Sequence, residues 1–109
     1  MPIIVLDPGH GGTDPGASGN GLQEKNLTLA IGLKVKQLIE ANYIADVRVT
    51  RAADIYVGLS ERADFANAIG ASYFVSLHHN AGGGTAFESS IYPGTRSSET
   101  GRRQAVMPG

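Results

Sequence analysis

The chain has 109 residues, a formal net charge of −1, 41% hydrophobic residues and no cysteine. This length fits one small domain, and the balanced charge, without a basic run, gives no reason to expect nucleic acid. The absence of cysteine excludes disulfides, thiolate metal sites and cysteine nucleophiles.

The chain enters a short apolar run, Ile3-Ile4-Val5-Leu6, which reads as a buried strand over residues 2–6. That run delivers Asp7-Pro8-Gly9-His10-Gly11-Gly12, where proline and glycine end the ladder and let the backbone turn sharply. A loop rich in Gly, Asp, Asn and Ser continues to Gly21. A helix is predicted over residues 24–42, because Leu27, Ile31, Val35, Leu38 and Ile39 recur at helical spacing. Asp46-Val47-Arg48-Val49-Thr50 alternates and reads as a second strand. A second helix is predicted over 59–69, with Ser60 as its N-cap and Gly70 as its stop. A third strand covers 73–78, a short fourth covers Glu88 to Tyr92 before Pro93-Gly94, and Ser97 to Val106 reads as the start of a third helix.

Strand, helix, strand, helix, strand implies parallel pairing through right-handed crossovers. The expected fold is therefore α/β: an open, mostly parallel sheet flanked by helices, in a single domain over residues 1–109. Its strand ends gather at one edge, where open sheets of this kind bind ligands. No stretch is long and apolar enough to span a bilayer, so no membrane insertion is expected. The N-terminus shows neither a basic leader nor a cleavage site, so export follows another route or a leader precedes this sequence.

His10 and His78 each close a predicted parallel strand, which puts both imidazoles at the same sheet edge. Glu24 opens the first helix. Two neutral imidazoles and a carboxylate form a three-ligand zinc set with one position left for water. The plainer readings are a turn histidine, a helix-start acid favoured by the macrodipole, and a hydrogen-bonded core histidine. His79 competes with His78, since neighbours on a strand point to opposite faces and only one can join His10. Spacing alone leaves that choice open, because parallel strands are buried on both sides. Asp7 offers itself as an orienting partner for His10, and Asp14-Pro15-Gly16 reads as turn chemistry. Arg51 and Arg62, with Asp54 and Glu61, read as loop and helix ion pairs. Asn67 and Asn80 read as loop hydrogen-bonders, and Glu88 as a carboxylate within reach of the cleft. HExxH, GxSxG, Walker and post-strand GxGxxG motifs are all absent.

Several blocks occur in register: Val5-Leu6-Asp7-Pro8-Gly9-His10-Gly11-Gly12, Asp14-Pro15-Gly16-Ala17, Gly21-Leu22-Gln23-Glu24-Lys25, Thr50-Arg51, Leu59-Ser60-Glu61-Arg62, Ala66-Asn67 and Val75-Ser76-Leu77-His78-His79-Asn80-Ala81. Together they resemble the zinc-dependent N-acetylmuramoyl-L-alanine amidases of the type 3 family, found in bacterial autolysins and phage endolysins. The resemblance implies that His10, Glu24 and His78 bind zinc, and that His79 falls at a variable position. It implies a peptidoglycan substrate, cleavage of the amide between N-acetylmuramic acid and L-alanine, and action outside the cell at the wall; a monomer is expected. The segment Gly84-Thr85-Ala86-Phe87-Glu88-Ser89 looks like the endolysin branch, in which the glutamate matching Glu88 assists catalysis. Family domains run beyond this chain's last residue, and the further portion supplies a long helix, a strand and a glutamate base. Residues 97–104 look like the start of that helix, and Glu99 does not inherit the base role. Zinc binding with impaired turnover is therefore expected of these residues alone. Two other readings stand beside it: a non-catalytic wall-binding or regulatory module that keeps the metal site, and a zinc peptidase, which the missing peptidase signatures weaken.

Overall fold

The computed structural model describes residues 1–79 and 87–93, with residues 79 and 87–90 described through their backbone alone. Its elements in chain order are β1 (Ile3–Pro8), β2 (Ser18–Gly19), β3 (Leu22–Gln23), α1 (Glu24–Asn42), β4 (Asp46–Val49), α2 (Leu59–Ala68), β5 (Tyr73–His79) and β6 (Phe87–Pro93). The main sheet has the order β4-β1-β5-β6. β1 pairs parallel with β4 and β5, while β6 runs antiparallel to β5. The sheet is thus open and mostly parallel, as expected. Among the described residues, no helix is long and apolar enough to cross a membrane.

β1 is central and buried on both faces, which is why apolar residues run along it without alternation. On one face Val5 and Phe74 pack with Ala63, Ala66 and Ala71 under α2; the small alanines let that helix approach closely. The opposite face receives α1. There a Cβ on Gly32 would lie 2.8 Å from Pro8 Cγ and 3.4 Å from Leu77 Cδ1, so the glycine lets the helix settle onto the sheet. Mid-helix glycine costs about 0.5–1 kcal/mol against alanine, which this close approach offsets.

Several boundaries differ from expectation. β1 runs through Asp7 and Pro8, because both pair with β5 and Gly9 N–H then donates to Leu77 O at 3.0 Å. The loop before α1 contains a small hairpin, β2–β3, turned at Asn20 (φ 52°) and Gly21 (φ 77°). Positive φ at both turn residues is the two-residue hairpin geometry that Asn-Gly favours. The N-cap of α2 is Gly58 rather than Ser60. Leu59 is already helical, and Glu61 Oε1, three residues past Gly58, accepts the Gly58 N–H at 2.9 Å. Gly70 (φ 68°) does stop α2: Ala71 N–H bonds Ala66 O at 3.0 Å, and Gly70 N–H bonds Asn67 O at 3.2 Å. The helix expected over 97–106 lies outside the described residues.

Candidate metal centre

The C-terminal ends of β1 and β5 lie side by side, and the first turn of α1 comes up to them from the other face of the sheet. Each element contributes one side chain. Single ligand atoms of His10, Glu24 and His78 all lie within 4.8 Å of one another.

His10 follows β1 with a left-handed backbone, φ 66°, which is uncommon for a residue bearing a side chain. Two contacts hold it there. Arg62 Nη2 donates to His10 O at 2.8 Å. Gly11 and Asp14 exchange backbone hydrogen bonds at 2.7 and 2.9 Å, closing a tight loop. Within that loop Asp14 Oδ2 sits 2.9 Å from His10 Nδ1. A carboxylate there accepts a hydrogen bond from Nδ1–H, the tautomer whose lone pair is on Nε2, and Nε2 faces Glu24 Oε2 at 3.1 Å. The His10 hydrogen bond, seconded by the Gly16 N–H, holds the Asp14 carboxyl below its ordinary pKa, against the opposing effect of burial.

Glu24 is the first residue of α1 and is only 7% exposed. Its Oε1 accepts the Ala17 N–H at 3.0 Å, while Oε2 also lies 3.4 Å from His78 Nδ1. Gly16 (φ 69°) lets the loop fold over this carboxylate; a Cβ there would stand 2.6 Å from His10 Cδ2 and 2.7 Å from Glu24 Oε1. His78 turns its other nitrogen, Nε2, to Ser76 Oγ at 3.0 Å. The two imidazoles meet edge to face, with centroids 5.5 Å apart. Gly9 makes room for the second ring, since a Cβ there would lie 2.7 Å from His78 Cε1.

These distances suit a metal. Ligands about 2.0–2.1 Å from a tetrahedral zinc stand about 3.3 Å from each other. The separations of Glu24 Oε2 from His10 Nε2 and from His78 Nδ1, 3.1 and 3.4 Å, bracket that spacing, and all three ligand atoms lie within 4.8 Å of one another. The donor set of two imidazoles and one carboxylate also matches zinc's preference for nitrogen and hard oxygen.

Two arginines underlie the site, and sequence reasoning placed them wrongly. Neither forms an exposed ion pair with Asp54 or Glu61. Arg62, 3% exposed, pairs with Asp7 Oδ1 at 2.8 Å and also donates to Val57 O, Pro8 O and His10 O. Arg51, 2% exposed, donates to the carbonyls of Pro8, Gly9, Lys25 and Ala53, tying the end of β1 to the first turn of α1. Burial lowers its pKa, and the like charge of Arg62 adds to the effect. For Arg62 alone there is a sequence signal in periodicity: Arg62 and Ala66 are four apart on the stripe of α2 that faces the sheet. Asp54 instead pairs with Lys25 Nζ at 2.9 Å and accepts the Gly12 N–H at 2.8 Å.

Asp7 does not orient His10. It lies on the α2 face of β1, where it accepts from Arg62, from Thr50 Oγ1 at 2.8 Å and from Ser76 Oγ at 3.4 Å. The chain turns at Gly9 before reaching His10, which carries the imidazole away from it. Asp14 takes that place, and it also makes the expected turn through Gly16 N–H to its Oδ1 at 3.1 Å. Asn67 Oδ1 is buried without a hydrogen-bond partner among the described residues. Glu88 is the cross-strand partner of His78 in the β5–β6 pair, and His79 that of Phe87. Asn80 and Glu99 lie outside the described residues. A cavity of about 250 Å³ opens beside His10 and His78, walled by Tyr56, Val57, Leu59 and Phe74.

A family model described as N-acetylmuramoyl-L-alanine amidase matches residues 4–105. The sporulation-specific N-acetylmuramoyl-L-alanine amidase of Bacillus subtilis (strain 168) is 52% identical over 94 residues, 85% of this chain and 37% of that protein. The endolysin of Bacillus phage SPP1 is 45% identical over 107 residues, 96% of this chain and 40% of that protein. Among solved structures, the catalytic domain of CwlV, an N-acetylmuramoyl-L-alanine amidase from Bacillus (Paenibacillus) polymyxa var. colistinus, superposes with a TM-score of 0.73 at 38% identity. That superposition covers 79% of this chain and 49% of the other. The chain thus spans about two fifths of the length of the curated relatives it matches.

Proposed function

Because this chain belongs to the N-acetylmuramoyl-L-alanine amidase family, we propose that it hydrolyses the amide joining the lactyl group of N-acetylmuramic acid to L-alanine in peptidoglycan, outside the cell, with zinc held by His10, Glu24 and His78. The observation that carries this reading is the convergence of those three ligand atoms within 4.8 Å at the sheet edge. Zinc, when bound, supplies Lewis acidity: it lowers the pKa of water towards about 7 and polarises a carbonyl oxygen.

The chain's own residues do the rest. His10 offers Nε2 because Asp14 engages Nδ1, and Glu24 supplies the negative charge that favours a dication. The left-handed turn at His10, gripped at its carbonyl by Arg62, fixes the backbone that carries the ring, and Asp14 holds the ring itself. The neighbouring cavity is the natural seat for the substrate, with apolar walls at Val57, Leu59 and Phe74 for methyl groups and an aromatic face at Tyr56 for a sugar. Glu88 is the acid–base group in this proposal. Directly opposed residues of an antiparallel pair lie on one face, and its position opposite His78 supports the assignment. It would take a proton from the attacking water and return it to the departing amine nitrogen as the C–N bond breaks.

The test combines elemental analysis with digestion of purified peptidoglycan. One zinc per chain is expected, together with intact stem peptides bearing a new L-alanine amine. His10→Ala, Glu24→Ala and His78→Ala should each lose both. Fragments cut inside the stem would replace this reading with a peptidase. Retention of metal in all three variants would remove the site.

A further inference from the structure

We propose that Ser76 is a positioning residue that fixes which nitrogen of His78 carries a proton, with Asp7 and Arg62 as its backing. The proposal rests on the metal reading above and adds to it the control of one ligand.

For His78 to present a lone pair from Nδ1 towards Glu24, its proton must reside on Nε2. Nε2 faces Ser76 Oγ at 3.0 Å. A serine hydroxyl accepts or donates with equal ease, so by itself it selects neither form. Asp7 breaks the tie. Its Oδ1 is taken by Arg62 Nη1 and Thr50 Oγ1, both at 2.8 Å, and a carboxylate paired with a guanidinium offers only acceptors. Its Oδ2 lies 3.4 Å from Ser76 Oγ. The Ser76 proton therefore points to Asp7, and the serine oxygen turns its lone pair to His78 Nε2–H. His78 Nε2–H thus donates to Ser76 Oγ, Ser76 donates to Asp7 Oδ2, and Arg62 donates to Asp7 Oδ1 from the other side.

The sheet builds this arrangement directly. Asp7 and Ser76 are register partners across the parallel β1–β5 pair, and His78 follows Ser76 by two residues on the same face. Asp7, Ser76 and Arg62 are all buried, so water does not compete for the bonds among them. His10 reaches the same end by a shorter route, with Asp14 directly on its remote nitrogen. Both candidate ligands thus have the nitrogen that faces away from Glu24 anchored on a carboxylate, one directly and one through a hydroxyl. Partners of this kind govern ligand orientation and basicity.

The experiment compares the full chain with Ser76→Ala and Ser76→Thr. Three quantities are read: zinc affinity by chelator competition, the unfolding midpoint without metal, and the His78 ring N–H resonance of the zinc-loaded protein. Ser76→Ala should weaken zinc binding roughly 10-fold or more. It should also abolish the slowly exchanging Nε2–H signal while the metal-free midpoint stays close to that of the unaltered chain. Ser76→Thr, which keeps the hydroxyl, should restore the N–H signal and most of the affinity. Unchanged zinc affinity and an unchanged N–H signal in Ser76→Ala would overturn the positioning role while leaving the metal site intact. Absence of zinc binding in the unaltered chain would overturn the site and this proposal with it.

Discussion

Asp14 Oδ2 lies 2.9 Å from His10 Nδ1, on the side of the ring away from Glu24. A residue that also makes a simple turn thereby decides which face of His10 is nucleophilic. Asp14→Ala removes the acceptor and frees the ring to rotate. Zinc affinity should fall about 10- to 100-fold, measured by competition with a chromophoric chelator. Asp14→Asn, whose amide oxygen still accepts, should lie between the two. Equal affinity in all three proteins would refute the assignment.

The Arg62–Asp7 pair is buried, so removing one partner strands the other. Arg62→Ala should destabilise the fold by about 3–5 kcal/mol, read from denaturant unfolding of the metal-free protein. Arg62→Lys should recover little of this loss. One ammonium cannot reach Asp7 Oδ1 and the carbonyls of Val57, Pro8 and His10 at the same time, as the guanidinium fork does. A Lys variant as stable as the parent would show that charge alone suffices.

Asp54 sits below its ordinary pKa of 3.8, chiefly through its hydrogen bond with Lys25 and then through the Gly12 N–H. A carboxyl depressed by folding stabilises the native state above its unfolded pKa. That contribution fades as pH drops below about 4 and is gone once the folded value is passed. Thermal unfolding of the metal-free chain should therefore show a loss below pH 4 that is smaller in Asp54→Asn. The variant should start from a lower midpoint at neutral pH. Parallel curves for the two proteins across pH 2–7 would contradict this.

Gly16 offers a test of the loop that closes over Glu24. Gly16→Ala forces a side chain into a left-handed position and drives its Cβ against His10 and Glu24. The backbone strain is worth about 1–3 kcal/mol. Displacement of two candidate ligands should lower zinc affinity well beyond the stability change. Gly19→Ala, where a Cβ meets nothing within 4 Å, is the matched control. Equal zinc affinities in the two variants would mean that the loop does not shape the site.

Much of this architecture could be read from local pattern. α1 spans Glu24–Asn42 as the apolar spacing of Leu27, Ile31, Val35 and Ile39 requires. The parallel order of β1, β4 and β5 follows from helices placed between strands. That order also brings His10 and His78 to one edge, since both sit at the C-terminal ends of strands running the same way. Long-range pairing was less legible. Asp7 belongs to β1 only because β5 continues alongside it, and a polar residue before proline gives no local sign of this. Arg51 and Arg62 looked like surface charges because charge usually stays wet. Their burial depends on backbone carbonyls from the end of β1, the first turn of α1 and the loop before α2, and the four-residue spacing of Arg62 and Ala66 marks only a face, not these partners. The Asn20-Gly21 hairpin, in contrast, carries a local signal in its turn residues. The choice between His78 and His79 turned on sheet face, which alternation alone does not assign in a strand covered on both sides.

Gly32 lies eight residues beyond Glu24 in the same helix, about 12 Å along its axis. Its missing side chain is a notch into which Pro8 fits, and Pro8 belongs to the strand that leads to His10. α1 therefore behaves as a lever resting on that strand. The depth of the notch sets how far the carboxylate at the other end reaches across the edge. A substitution as small as one methyl group, two turns from any reacting atom, would pry two prospective ligands apart.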